Sequence, residues 1–180
     1  MVRKMTRKPN VEDFDWVKRC ALAALCSQNA LKQLLVFKGG NLLQIGFNIR
    51  VRASIDLDFS IDADCNPEQV RAECESALTA EFSKFNYAVI DVTIVERPPE
   101  LSEDLRDFWG GYRIGFKLVK VTTFDRFRTD LAALRRYALP FGHQGSTVFR
   151  MVKSRINCDS SVWRGSLLVF GSRVVCGDVR

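Results

Sequence analysis

The chain has 180 residues, of which 47% are hydrophobic and 27% charged. That suffices for one core of ordinary size and calls for no second domain. A net charge of +6 favours a polyanionic partner without choosing nucleic acid over an anionic surface or simple solubility. No apolar run reaches membrane-spanning length and no secretory signal pattern is present, which speaks against membrane insertion and for a cytoplasmic protein. Cys20, Cys26, Cys65, Cys74, Cys158 and Cys176 contain no Cys-x-x-Cys pair, and the single histidine, His143, is remote from them in sequence. They read as reduced, mostly buried thiols rather than a zinc site.

Residues 1–10 carry Arg3, Lys4, Arg7 and Lys8 with no apolar period and read as a basic tail. From Val11 to about Leu31, the residues Phe14, Val17, Ala21, Leu22 and Leu25 recur at helical spacing, with Trp16 and Cys20 as further core positions. Leu34 to Phe37 reads as a short buried strand, Gly39-Gly40 as a tight turn, and Asn41 as the cap of a helix beginning at Leu42. Free N–H groups at a helix start can receive an anion. An ordinary strand-to-helix turn would use the same residues.

Leu57, Phe59 and Ile61 alternate with Asp56, Asp58 and Ser60, the period of a strand with one buried and one polar face. Carboxylates two apart on a strand point the same way and can share a hard cation, and magnesium accepts a few carboxylate oxygens, waters and substrate phosphates. A half-exposed strand with an acidic polar face is the competing reading. Asn66-Pro67-Glu68-Gln69 predicts a helix start, with asparagine as cap and glutamine reaching back, followed by a buried stripe of Val70, Cys74, Ala77, Leu78 and Phe82. Tyr87 to Val95 is β-rich and ends before Pro98-Pro99, and Asp91 and Glu96 could join a metal site only if this strand neighboured Asp56. Arg113 to Lys120 is an alternating strand with a basic polar face. A helical stripe of Phe124, Phe127, Leu131, Leu134 and Ala138 follows, with Arg126, Arg128, Arg135 and Arg136 on its exposed positions. These bases could line an RNA backbone groove or simply face solvent. Strands and helices alternate without βαβ regularity, which predicts an α+β fold with a mixed sheet.

Phe37-Lys38-Gly39-Gly40-Asn41 together with Arg52-x-Ser54-x-Asp56-Leu57-Asp58-Phe59-Ser60 resembles the AbiEii/AbiGii-type nucleotidyltransferases, a toxin branch of the polymerase-beta-like nucleotidyltransferase superfamily. The family has Lys-Gly-Gly followed usually by Thr or Ser, where this chain has Asn41. The resemblance implies a glycine turn for the triphosphate (Gly39, Gly40, Asn41), magnesium held by Asp56 and Asp58, and Lys38, Arg52 and Ser54 close by. It implies a nucleoside triphosphate as substrate, an acceptor hydroxyl on RNA, transfer RNA included, or on protein, and a cognate antitoxin as partner.

The same resemblance implies a third carboxylate on a strand of pattern aromatic, basic, aliphatic, acidic, aliphatic, Ser. Phe149-Arg150-Met151-Val152-Lys153-Ser154 aligns with it and places Val152 at the acidic position. Near the end, Gly177 and Asp178 stand where an acidic residue and a lysine are expected. The chain is therefore expected to be atypical from about Thr147, as a truncated or frame-altered relative. Asp125, Asp130 or Asp159 could substitute for the missing acid, though their spacing selects none. Two functions follow: a magnesium-dependent nucleotidyltransferase, or a catalytically disabled remnant that still binds nucleotide, RNA or an antitoxin.

Overall fold

The computed structural model describes residues 11–47, 56–61, 65–100, 110–139 and 147–153. The expected basic tail, Arg52, Ser54, His143, Cys158, Asp159, Cys176 and the Gly177-Asp178 segment lie outside the described residues. The elements are α1 (Val11–Ser27), α2 (Asn29–Leu34), β1 (Val36–Lys38), α3 (Gly39–Asn41, continued by a π-helical turn Leu42–Gly46) and β2 (Leu57–Ile61). They continue as α4 (Pro67–Ser83), β3 (Tyr87–Arg97), β4 (Gly111–Lys120), α5 (Val121–Arg126), α6 (Leu131–Tyr137) and β5 (Thr147–Lys153). The fold is α+β with a five-stranded mixed sheet in the order β1-β2-β5-β4-β3. Among the described strands only β2 and β5 run parallel.

One sheet face carries the main core. Leu57, Phe59 and Ile61 of β2, Met151 of β5, and Ile114, Phe116 and Leu118 of β4 are buried with α1 and α4. Trp16 of α1 meets Phe82 and Phe85 edge-on, at centroid distances of 5.9 and 5.2 Å. Apolar burial and aromatic geometry of this kind are the main favourable terms for such a layer. On the other face a smaller core of Ile90, Val119 and Leu134 joins α5 and α6 to β3 and β4.

Helix α4 starts as its sequence predicts: Asn66 Oδ1 accepts from the N–H groups of Glu68 and Gln69, satisfying two of the otherwise open donors. Gln69 does not reach back, however, and donates forward to Glu73 at 3.0 Å. Three boundaries also differ from expectation, the first being that the helix expected from Val11 to about Leu31 ends at Ser27, and α2 starts at Asn29 after an extended Gln28. Leu34 closes α2 and the strand begins at Val36. The single helix expected through Phe124 and Leu134 is divided at residues 127–130, because Asp130 caps a new start by accepting from the N–H of Ala133 at 2.9 Å. Apolar periodicity runs through such a break when both pieces pack on the same sheet.

Candidate functional site

Strands β1 and β2 pair antiparallel with Lys38 opposite Asp58, so two residues twenty positions apart meet at the end of β1. The chain turns immediately afterwards at Gly39, whose φ is +77°. A Cβ added there would lie 2.8 Å from Asp58 Oδ2 and 3.3 Å from Asp58 Cβ. Glycine is required both for the left-handed backbone and for the close approach of the carboxylate.

Beyond the turn, Asn41 departs from its expected part as a helix cap. It lies inside the helical turn and makes no side-chain capping bond. Its side chain is 1% exposed and directed into the protein. Nδ2 donates to the backbone carbonyl of Asp56 at 2.6 Å, and Oδ1 accepts from Lys18 Nζ at 3.0 Å. Lys18, itself 1% exposed, also pairs with Asp15 at 2.7 Å. Asp15 in turn accepts from Gln44 Nε2 at 3.1 Å. Helix α1 thus grips the segment after the glycine turn at Asn41 and, three residues on, at Gln44, and Asn41 grips the residue before β2. Sequence reasoning missed Lys18, although the signal was present: it lies four residues after Phe14 and three before Ala21, on the apolar stripe of α1.

In β2, Asp58 and Ser60 are half-buried on the face opposite the main core, and Asp56, just before the strand, has its Oδ1 shielded from solvent. Parallel pairing sets Arg150 of β5 beside Asp58 and Val152 beside Ser60, while β4 brings Arg113 and Gly111 to the same two levels. The strand expected to supply a third carboxylate is therefore next to β2, and its residue at that position is Val152, 40% exposed. Register sets Lys38, Arg113 and Arg150 at the level of Asp58, the one acid of β1, β2, β4 and β5. Such a surface can take a polyphosphate.

The other acids considered lie elsewhere. Strand β3 is the far edge of the sheet, so Asp91 and Glu96 do not neighbour Asp56. Asp91, at φ +53° beside a register shift in β3, accepts two bonds from Arg135 at 2.7 and 2.9 Å and pairs with Lys117 at 3.4 Å. The Arg135 hydrogen bonds hold its carboxyl below the usual range despite partial burial, with the Arg135 and Lys117 charges adding to the effect. Asp130 is the cap of α6, and Asp125 is exposed on α5. Burial pushes the Cys74 thiol up to about 12 and raises that of Cys26, so both are inert neutral thiols.

No group of three or more His, Cys, Asp or Glu side chains suited to a metal occurs among the described residues. The donors present, Asp56 and Asp58, fit a hard cation that takes its remaining ligands from water and phosphate. They do not make an all-protein cage.

A glycine turn seated on a carboxylate, at the basic side of a mixed sheet, can hold a cation and a polyphosphate together. The family comparison gives the class of protein. The model of the family described as "Nucleotidyl transferase AbiEii toxin, Type IV TA system" matches residues 20–142. The chain belongs to this AbiEii nucleotidyltransferase family. Among solved structures, a protein described as a "putative nucleotidyltransferase from H. pylori" aligns at 15% identity with a TM-score of 0.44, over 86% of this chain and 50% of that one. The chain thus spans about half the length of that protein. No curated protein matches it. The glycine turn and both aspartates fall within the family match, whereas Lys18 and Val152 fall outside it. Among the described residues no helix is long and apolar enough to cross a membrane.

Proposed function

We propose that the chain is a magnesium-dependent nucleotidyltransferase that moves a nucleotide from a nucleoside triphosphate to a hydroxyl of RNA, transfer RNA included, or of protein. The observation that carries this reading is the close approach of Gly39 to Asp58, which only glycine permits. Asp56 and Asp58 would hold the cation, with Gly39, Gly40 and the backbone of Asn41 toward the phosphates and Lys38, Arg52 and Ser54 around them. Magnesium, when bound, neutralises phosphate charge and fixes the α-phosphate for in-line attack. The acceptor oxygen forms a bond to the α-phosphorus as the bond to pyrophosphate breaks, and the hydroxyl proton passes to solvent. Lys38 and Arg113 oppose the charge gathering on the leaving pyrophosphate. A cytoplasmic setting, an antitoxin partner and an RNA acceptor along Arg126, Arg128 and Arg136 belong to the same proposal.

A second reading has its own support. Val152 stands exposed where a third carboxylate would reach the site, and losing one such ligand costs several powers of ten in rate when about 1.4 kcal/mol is tenfold. A disabled relative would keep metal-dependent nucleotide binding and transfer nothing.

The test is transfer of labelled nucleoside triphosphate to total RNA or protein with magnesium, comparing the chain with Asp56→Asn and Asp58→Asn. Label incorporated by the native chain, and reduced roughly 100-fold or more in either variant, is the expected result. Binding without incorporation would select the second reading. Neither binding nor incorporation by a folded protein would leave the Asp-x-Asp strand as a polar face only.

A further inference from the structure

Lys18 is an ammonium at 1% exposure in the layer between α1 and the glycine-turn helix, a position where an apolar side chain would avoid the cost of burying charge. Its contacts lead in one direction. Nζ donates to Asn41 Oδ1 at 3.0 Å and pairs with Asp15 at 2.7 Å, while lying 5.3 Å from the centroid of the Phe14 ring. Asn41 passes the constraint on, donating to the Asp56 carbonyl at 2.6 Å. Because lysine can only donate and a carbonyl can only accept, the Asn41 amide has a single orientation that satisfies both neighbours. A serine or threonine hydroxyl at position 41 would have to reach both groups from one oxygen. The two separated atoms of the asparagine amide span them.

We propose that Lys18 is a positioning residue for the Asp56 and Asp58 carboxylates. Acting through Asn41, it fixes the path of the chain into β2 and the seat of Asp58 against the glycine turn. The inference rests on the nucleotide-site reading above for its consequence and on the hydrogen-bonded relay for its mechanism, so the two are tested by different readouts.

The experiment uses the full chain, Lys18→Met, which keeps length and removes charge, and Arg71→Ala on the exposed side of α4 as control. The first readout needs no ligand: amide hydrogen exchange at residues 56–59, compared with residues 70–82 of α4. The second is binding of manganese with each of the four ribonucleoside triphosphates. Lys18→Met is expected to speed exchange at 56–59 and to weaken manganese-nucleotide binding, each by about tenfold, with α4 unchanged. In an Asn41→Ala background the same substitution adds nothing further, because both act on one relay. Should Lys18→Met fail to fold, Asn41→Asp replaces it. That variant keeps an acceptor for Lys18, sets an oxygen against the Asp56 carbonyl, and is expected to give the same selective loosening. Unchanged exchange at 56–59, or additive effects of Lys18→Met and Asn41→Ala, overturns the proposal. If the native chain binds no manganese-nucleotide, the functional reading fails. The exchange data then decide alone, a selective increase upholding Lys18 as the hold on Asp56 and its absence overturning it.

Discussion

Over β3 and the adjoining part of β4, helices α5 and α6 close the sheet with Ile90, Val119 and Leu134. The acid there, Asp91, is matched by Arg135 and Lys117. Around β2 and β5 the same face is different: Asp58 and Ser60 are half-buried, Val152 is exposed, and Asp58 is the one acid of the surrounding strands. In the first region the charge of Asp91 is matched within the protein. In the second, on the function proposed above, Asp56, Asp58 and the neighbouring bases would be completed by a cation and an anionic substrate. The contrast separates the part of the face that is closed by helices from the part that is left open.

The largest expected gain comes from adding what the second region lacks. Val152→Asp is expected to raise magnesium-dependent label transfer at least about tenfold, at a cost of about 1 kcal/mol for placing aspartate in an exposed strand position. Radiolabel incorporation and urea denaturation would measure the two. Unchanged transfer would mean that the third acid alone does not account for any deficit.

Gly39→Ala tests the contact between turn and carboxylate. Positive φ and the 2.8 Å approach of the new Cβ to Asp58 Oδ2 are expected to destabilise the chain by about 1–3 kcal/mol and to weaken manganese-nucleotide binding as Asp58 is displaced. Denaturation midpoints equal to those of the native chain would show that the turn relaxes at no cost.

In the closed region, Asp91→Asn should act only on stability, by about 2–4 °C in Tm at pH 7. Because the folded-state pKa of Asp91 is lowered, its contribution is present above the unfolded carboxylate pKa near 3.9 and is lost as pH falls through the lower folded value. Native and variant melting curves should therefore converge near pH 2. A difference that persists there would assign the effect to packing instead of charge.

Much of the candidate site was legible because its signals are local. The alternation through Asp56 to Ile61 predicted the strand and its buried face, as Leu57, Phe59 and Ile61 demonstrate. The Asn66 cap likewise marked the start of α4. Asn41 was legible as a polar residue in the right place but not as one turned inward, since its two partners lie 23 and 15 residues away. Lys18 could have been noticed as a charge on an apolar stripe, yet only its partners give it meaning. The helix break at Asp130 was masked because its two sides share one apolar surface.

By itself, then, the sequence determined the alternating α+β content, the glycine turn and the Asp-x-Asp strand, all properties of neighbouring residues and their period, while the missing acid at Val152 was legible only through the family resemblance. Tertiary structure alone decided that Gly39 lies against Asp58, that β5 runs beside β2, and that Lys18 reaches Asp56 through Asn41. These depend on which strand pairs with which and in what register. Local periodicity fixes the face a side chain uses and leaves its distant partner unspecified.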